Sequence, residues 1–128
     1  MRIAVILSGG EGRRMDRADK GAIMLAGWRL IDRVVEKLKP QAGRIMISGS
    51  HDYGTGLTHI PDHKDGPAGP AAGLWSAFNW IKDEEIALEG FLTAPVDGPF
   101  LPSDLYERLY NSENSSIARD ETGLHPTF

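Results

Sequence analysis

The 128-residue chain has no cysteine. This absence excludes disulfides, a thiol nucleophile and metal sites built on cysteine ligands. A chain of this length can bury a core without cross-links, and an apolar fraction of 41% is ordinary for a globular protein. We therefore expect one domain over residues 1–128. The lack of cysteine also agrees with a cytoplasmic location.

The sequence has no excess of positive charge and no long hydrophobic run. Lys and Arg number 14 against 18 Asp and Glu, so the net charge is −4. Proteins that bind nucleic acid through its phosphates usually have the opposite balance, so we expect no nucleic-acid partner. The longest uncharged segment, residues 66–81, is interrupted by prolines and glycines and is too short to cross a membrane.

Short apolar runs alternate with helical patterns along the chain. Extended segments are predicted at residues 2–7, 44–48, 58–60 and 91–94, and a weak strand followed by a turn at residues 120–123 is predicted after residue 115. Apolar residues at helical spacing predict a helix from Leu30 to Leu38 that Pro40 ends. Together these elements indicate a doubly wound α/β domain with a mainly parallel sheet.

Two further helices complete this pattern. In one, the apolar face is predicted to contain Leu74, Ala77, Phe78 and Ile81, with Trp75 and Trp80 as additional core residues. In the other, Pro102 is expected at the first helical position.

The loop after the first extended segment combines glycines with basic residues. Gly9, Gly10 and Gly12 can direct backbone N–H groups at an anion. The basic residues of the loop are Arg13, Arg14, Arg17 and Lys20. The spacing is an incomplete dinucleotide fingerprint, since Met15 replaces its last glycine, and no P-loop motif is present. Phosphate binding and a simple tight strand exit both fit these residues.

Two acidic residues follow extended segments, where ligands bind in parallel α/β sheets. Asp97 comes after an apolar run and Pro95, which suits a carboxylate that holds Mg²⁺ together with phosphate oxygens. Taken alone, the position is explained better by an aspartate that forms a turn at the start of the next loop. Asp62 precedes a segment rich in Gly and Pro at residues 65–73, which suits either ligand binding or close helix packing.

The histidines show no spacing typical of a metal site. His51, His59 and His63 lie in one region without a helical pair or an accompanying carboxylate pattern. We therefore expect all three to be surface residues.

Together, the motifs resemble one enzyme family. The run from Leu7 to Met15, followed by Asp19-Lys20-Gly21, resembles the signature of the molybdenum cofactor guanylyltransferases. The motifs that follow in that family's order are Asp62 with Gly69–Gly73, Pro95–Pro102 and His125-Pro126-Thr127. The resemblance extends over nearly the whole chain.

This resemblance implies a Rossmann-like three-layer fold and a nucleotidyltransferase reaction. GTP and molybdenum-molybdopterin would give the molybdopterin guanine dinucleotide cofactor and pyrophosphate. Lys20 and Arg14 would be catalytic residues, and Asp97 would be catalytic and bind Mg²⁺. The residues implied to bind the nucleotide are Leu7, Ser8, Gly9, Gly10, Lys20, Ser48, Asp62 and Asp97. Transient contacts with proteins that deliver or accept the cofactor are also expected.

The sequence departs from the family at several points. Asp16 stands where glycine is usual, and Ser48 and Ser50 stand where asparagines are frequent. The family continues beyond its His-Pro-Thr motif, so we expect this chain to lack a C-terminal part that completes the substrate pocket.

Other functions remain open for the same residues. The chain could transfer CMP to molybdopterin, transfer a nucleotide to a sugar phosphate, or act as a non-catalytic nucleotide-binding remnant. A nicotinamide-dependent oxidoreductase is disfavoured because the dinucleotide fingerprint lacks its last glycine.

Overall fold

The computed structural model describes residues 2–8, 22–49, 52–61, 70–84, 90–96, 98–110, 118–120 and 123–125. Within these ranges the strands are β1 (Arg2–Leu7), β2 (Met24–Leu25), β3 (Trp28–Arg29), β4 (Arg44–Ser48), β5 (Thr58–Ile60), β6 (Gly90–Pro95), β7 (Ala118–Asp120) and β8 (Gly123–His125). The helices are α1 (Leu30–Leu38), α2 (Pro70–Asp83) and α3 (Leu105–Tyr110). None of these helices is long and apolar enough to span a membrane.

A parallel sheet forms the centre of the described structure. Its strand order is β5-β4-β1-β6, and each neighbouring pair is parallel. Strand β1 is hydrogen-bonded on both sides, which explains why its sequence is a continuous apolar run rather than an alternating one.

The side chains of the sheet alternate between two cores. On one face, Ala4 and Ile6 pack with residues of α1 and α3. On the other face, Ile3 and Val5 pack with Ala77 and Ile81 of α2. Helices thus cover both faces, and the prediction of a three-layer α/β fold with a mainly parallel sheet is confirmed.

The structure corrects the predicted apolar face of α2. Ala77 and Ile81 are buried as expected, but Leu74 and Phe78 are 42% and 61% exposed. Small residues face the sheet because the helix approaches it closely, so the larger side chains are turned outward. Trp75 is also exposed, whereas Trp80 is half-buried, with the Arg44 guanidinium 5.0 Å from its ring centroid.

Two further local features differ from the prediction. Helix α3 begins at Leu105 instead of Pro102, because the Leu105 N–H donates to the Pro102 carbonyl (3.3 Å) and closes a turn before the helix. Strands β2 and β3 form a hairpin that the sequence pattern did not predict. The β7–β8 hairpin, by contrast, agrees with the predicted strand and turn.

A buried glutamine joins the helices on one face of the sheet. Gln41 Nε2 donates to the carbonyls of Lys37 (2.8 Å) and Pro102 (3.0 Å), and its Oε1 accepts from the Tyr106 N–H (2.8 Å). The side chain therefore satisfies backbone groups at the end of α1 and the start of α3.

Candidate functional site

Three parallel strands end side by side at one edge of the sheet. In the strand register Leu7 pairs with Ser48 of β4 on one side and with Pro95 of β6 on the other. Beyond the register, the Ser8 N–H donates to the Ser48 carbonyl (2.9 Å), and the Val96 N–H donates to the Leu7 carbonyl (3.2 Å). We call this the carboxyl edge, and it is where ligands bind in open α/β sheets.

Ser48 links the carboxyl edge to α2. Its side chain is fully buried, and its hydroxyl donates to the Gly73 carbonyl at 3.0 Å. Its own carbonyl accepts from both the N–H and the hydroxyl of Ser8, the latter at 3.1 Å. The hydrogen of the Ser48 hydroxyl is therefore used in a bond to the protein backbone. A direct hydrogen bond from Ser48 to a nucleotide stays a prediction.

Gly73 allows the first turn of α2 to approach the strand ends. A Cβ at this position would lie 3.0 Å from Ser48 Oγ and 3.3 Å from Leu7 Cδ2, closer than ordinary van der Waals contact. A side chain at this position would therefore require Ser48 or Leu7 to shift by a few tenths of an ångström. The approach also places the amino-terminal part of α2 beside the carboxyl edge, and the positive end of a helix dipole favours anionic ligands.

His59 contacts the end of β4, contrary to the expectation that it is a simple surface residue. It is half-buried, and its Nε2 lies 2.6 Å from the carbonyl oxygen of Gly49. The Gly49 N–H in turn donates to the Ile60 carbonyl at 3.0 Å. The sequence carries no signal for this contact, because it arises from the parallel pairing of β4 with β5.

The structure brings together the predicted site residues that it describes. At the carboxyl edge, Leu7 pairs with Ser48 in the strand register, and the Ser8 hydroxyl donates to the Ser48 carbonyl. The other predicted residues lie outside the described ranges: Gly9, Gly10, Arg14, Lys20, Asp62 and Asp97. Their places in the site stay predictions. Gly73 belongs to the segment for which the sequence left ligand binding and close helix packing open, and its contacts with Ser48 and Leu7 show close packing at this edge.

The chain neighbours of Asp97 bear on the predicted magnesium site. Val96 is hydrogen-bonded to Leu7, and the Gly98 N–H donates to the Pro95 carbonyl at 3.2 Å. Both neighbours thus lie at the carboxyl edge, which fits a carboxylate that meets nucleotide phosphates there. In the described ranges, no three His, Asp or Glu side chains are grouped closely enough to hold a metal ion by themselves. Mg²⁺ commonly uses one or two carboxylates with phosphate oxygens and waters, so the single predicted carboxylate fits its chemistry.

Comparison with known proteins identifies close sequence relatives. A family model described as the MobA-like NTP transferase domain matches residues 4–128. The molybdenum cofactor guanylyltransferase of Rhodopseudomonas palustris (strain BisB5) is 40% identical over 134 residues, covering 98% of this chain and 64% of the relative. The protein of the same name from Cereibacter sphaeroides is 38% identical over 128 residues, covering 95% of this chain and 64% of the relative.

A solved structure extends the similarity to the fold. Molybdopterin-guanine dinucleotide biosynthesis protein A from Archaeoglobus fulgidus superposes with a TM-score of 0.62 at 26% identity, covering 85% of this chain and 54% of that one. The chain therefore spans 64% of the length of the two curated relatives and about half of this solved structure.

The contact between Gly73 and Ser48 can be tested by a double-mutant cycle. Gly73→Ala should lower the free energy of unfolding by about 1–3 kcal/mol, because the new methyl group displaces the side chains of Ser48 and Leu7 from their packed positions. Ser48→Ala alone should cost about 1 kcal/mol through its lost hydrogen bond. The double variant should be more stable than the sum of the single effects predicts, because it lacks Oγ, the nearest clashing atom. Urea unfolding measures all four proteins, and effects that add within about 0.5 kcal/mol would contradict this close packing.

Proposed function

Because the chain belongs to the family of MobA-like NTP transferase domains, we propose that it transfers GMP from GTP to molybdenum-molybdopterin. The products are the molybdopterin guanine dinucleotide cofactor and pyrophosphate. The names of the relatives from Rhodopseudomonas palustris and Cereibacter sphaeroides support guanylyl transfer. This chain spans 64% of their length, and we assign to it above all the nucleotide-binding part of the reaction.

The observation that carries this proposal is the alignment of β1, β4 and β6 at the carboxyl edge. Leu7, Ser48 and Pro95 are direct neighbours in the sheet. The predicted phosphate-binding loop begins after Leu7, and Asp97 follows Pro95 by two positions. Strands β1 and β6 end at the same edge, which supports the proposal that the loop and Asp97 share one triphosphate site.

The proposed chemistry is a direct phosphoryl substitution. The terminal phosphate oxygen of molybdopterin attacks the α-phosphorus of GTP, and a new P–O bond forms as the bond to the leaving pyrophosphate breaks. Because both reactants are anionic, positioning and charge neutralisation are the main tasks of the protein. The reaction needs no protein nucleophile, which suits a chain without cysteine.

The predicted residues divide these tasks. We assign nucleotide contacts to Leu7, Ser8, Gly9, Gly10, Ser48 and Asp62. Lys20, assisted by Arg14, would bind the phosphates and stabilise charge on the leaving pyrophosphate. Asp97 would hold Mg²⁺, which neutralises phosphate charge and polarises the reacting phosphoryl group when it is bound. A cytoplasmic location and transient contacts with proteins that deliver or accept the cofactor belong to the same proposal.

A nucleotide panel tests the proposed function. Calorimetry with the magnesium complexes of GTP, CTP and ATP, and with NAD, measures binding. Pyrophosphate release with molybdenum-molybdopterin or with a sugar phosphate as the acceptor measures transfer. We expect GTP to bind most tightly and to support transfer. Preference for CTP, or transfer to a sugar phosphate, would reassign the substrate within the same enzyme class. Binding of GTP without transfer would indicate a nucleotide-binding remnant, and binding of NAD alone would contradict the proposal.

Lys20→Ala should reduce pyrophosphate release by about 10²–10³-fold, comparable to removing one preorganised donor from developing charge. Lys39→Ala is the matched control, because Lys39 is exposed, follows the end of α1 and pairs only with the exposed Glu36 among the described contacts (2.7 Å). The control should retain full activity. Unchanged turnover in the Lys20 variant would remove this residue from the proposed mechanism.

Asp97→Asn should raise the Mg²⁺ concentration needed for half-maximal GTP binding, because an amide is a weaker ligand than a carboxylate for this cation. Asp83→Asn is the control, since Asp83 is exposed at the carboxyl end of α2, away from the carboxyl edge. Titration of Mg²⁺ at fixed GTP measures both variants. Identical titration curves for the Asp97 variant and the parent chain would exclude Asp97 as the metal ligand.

A further inference from the structure

His59 lies on the face of the sheet opposite α2. Its partner in the β4–β5 register is Ile47, which belongs to the core formed with α1 and α3. The next residue, Ile60, packs into the core formed with α2. Because successive side chains of a strand point to opposite faces, the imidazole reaches Gly49 from the α1 side.

The bond between His59 and Gly49 requires a hydrogen on Nε2 of the ring. A carbonyl oxygen only accepts hydrogen bonds, so Nε2 must carry the hydrogen and donate it across the 2.6 Å separation. The Gly49 N–H donates to the Ile60 carbonyl at 3.0 Å. Both polar backbone groups of Gly49 are therefore held by consecutive residues of β5.

The bond between His59 and Gly49 is one of the side-chain bonds that hold β5 against β4. Strand β5 has three residues and lies at one edge of the described sheet. A strand this short forms few backbone bonds with its neighbour, so side-chain bonds add to the pairing. Arg44 donates to the Thr58 hydroxyl (3.2 Å) at the start of β5, and His59 donates to the Gly49 carbonyl next to its end. Ser48 is hydrogen-bonded to Ser8, which follows β1, and to Gly73 of α2. The residue after it, Gly49, is hydrogen-bonded to His59 of β5.

We propose that His59 is a positioning residue of the nucleotide site. By holding the Gly49 carbonyl, it sets the direction in which the chain leaves β4 at the carboxyl edge, and it thereby tunes nucleotide affinity without touching the nucleotide. This inference rests on the proposed function, because it assumes that the carboxyl edge binds Mg·GTP.

A matched pair of variants tests the inference. The side-chain amide nitrogen of Gln is as far along the side chain as Nε2 of His, whereas that of Asn corresponds to Nδ1 and falls short. We expect His59→Gln to bind Mg·GTP within about twofold of the parent chain. His59→Asn should raise the Kd about two- to tenfold, the effect expected for one lost neutral hydrogen bond.

Two readouts separate positioning from general stability. Calorimetry gives the Kd for Mg·GTP, and thermal unfolding gives Tm for the same samples. Binding is compared at a temperature at which all samples are fully folded. Weaker binding by His59→Asn, with affinity recovered in His59→Gln, supports the inference. Binding by His59→Asn that equals the parent chain, or an equal loss in both variants, overturns it.

Amide hydrogen exchange distinguishes failure of this inference from failure of the proposed function. If the parent chain binds no Mg·GTP, the proposed function fails for this chain and the assigned effect on affinity fails with it. The exchange rate of the Gly49 amide hydrogen still tests whether the His59 side chain holds the end of β4. Faster exchange in His59→Asn than in His59→Gln supports the role of the imidazole in holding the end of β4, and equal exchange contradicts it.

Discussion

The pairing of β1 with a parallel strand on each side determines where the rest of the site lies. Leu7 is the shared reference, because its register partners are Ser48 on one side and Pro95 on the other. A slip of one residue in either pairing would exchange the two faces of that strand and displace its end along the sheet. Both faces are buried, so such a slip would place strand side chains in the wrong core. Burial therefore fixes the register, and the register aligns the strand ends.

Helix α2 completes this edge through close approach. Gly73 permits contact with Ser48 and Leu7, while Ala77 and Ile81 continue the same small and apolar face into the core. The hydrogen bond from Ser48 to the Gly73 carbonyl ties the helix to β4. The position of the first turn of α2 is thus set by packing against the sheet, and the positive end of the helix dipole lies beside the carboxyl edge as a consequence.

The sequence predicted those parts of the fold that depend on local pattern. The runs of β1 and β4 and the spacing in α1 each contain enough apolar residues to identify the element. The β2–β3 hairpin escaped prediction because its turn places Ala26 at φ 51° before Gly27 at φ 87°, a conformation for which alanine gives no signal. The start of α3 was misplaced because Pro102 closes a turn before the helix instead of starting it.

For the candidate site, the sequence predicted which strand ends meet but not the side-chain contacts between them. Parallel alternation of strands and helices was sufficient to bring Leu7 and Ser48 to one edge. The contacts of Gly73 and His59 were not predictable, because they depend on how closely α2 approaches and on which residue of β5 pairs with Ile47. Such contacts join residues far apart in sequence, and the types of the two residues do not determine their separation.

Electrostatics explains why the proposed site must concentrate positive charge locally. The chain has a net charge of −4, so its average field repels both a nucleoside triphosphate and a phosphorylated pterin. Lys20 and Arg14 of the first loop supply fixed positive charge in the sequence that follows β1. The amino-terminal turn of α2, placed at the same edge by Gly73, supplies a dipole of the same sign. Under the proposed function, a local cationic region within an acidic protein would bind anions where the strands end and would disfavour non-specific binding of polyanions elsewhere, so the global and local charge distributions would serve the same specificity.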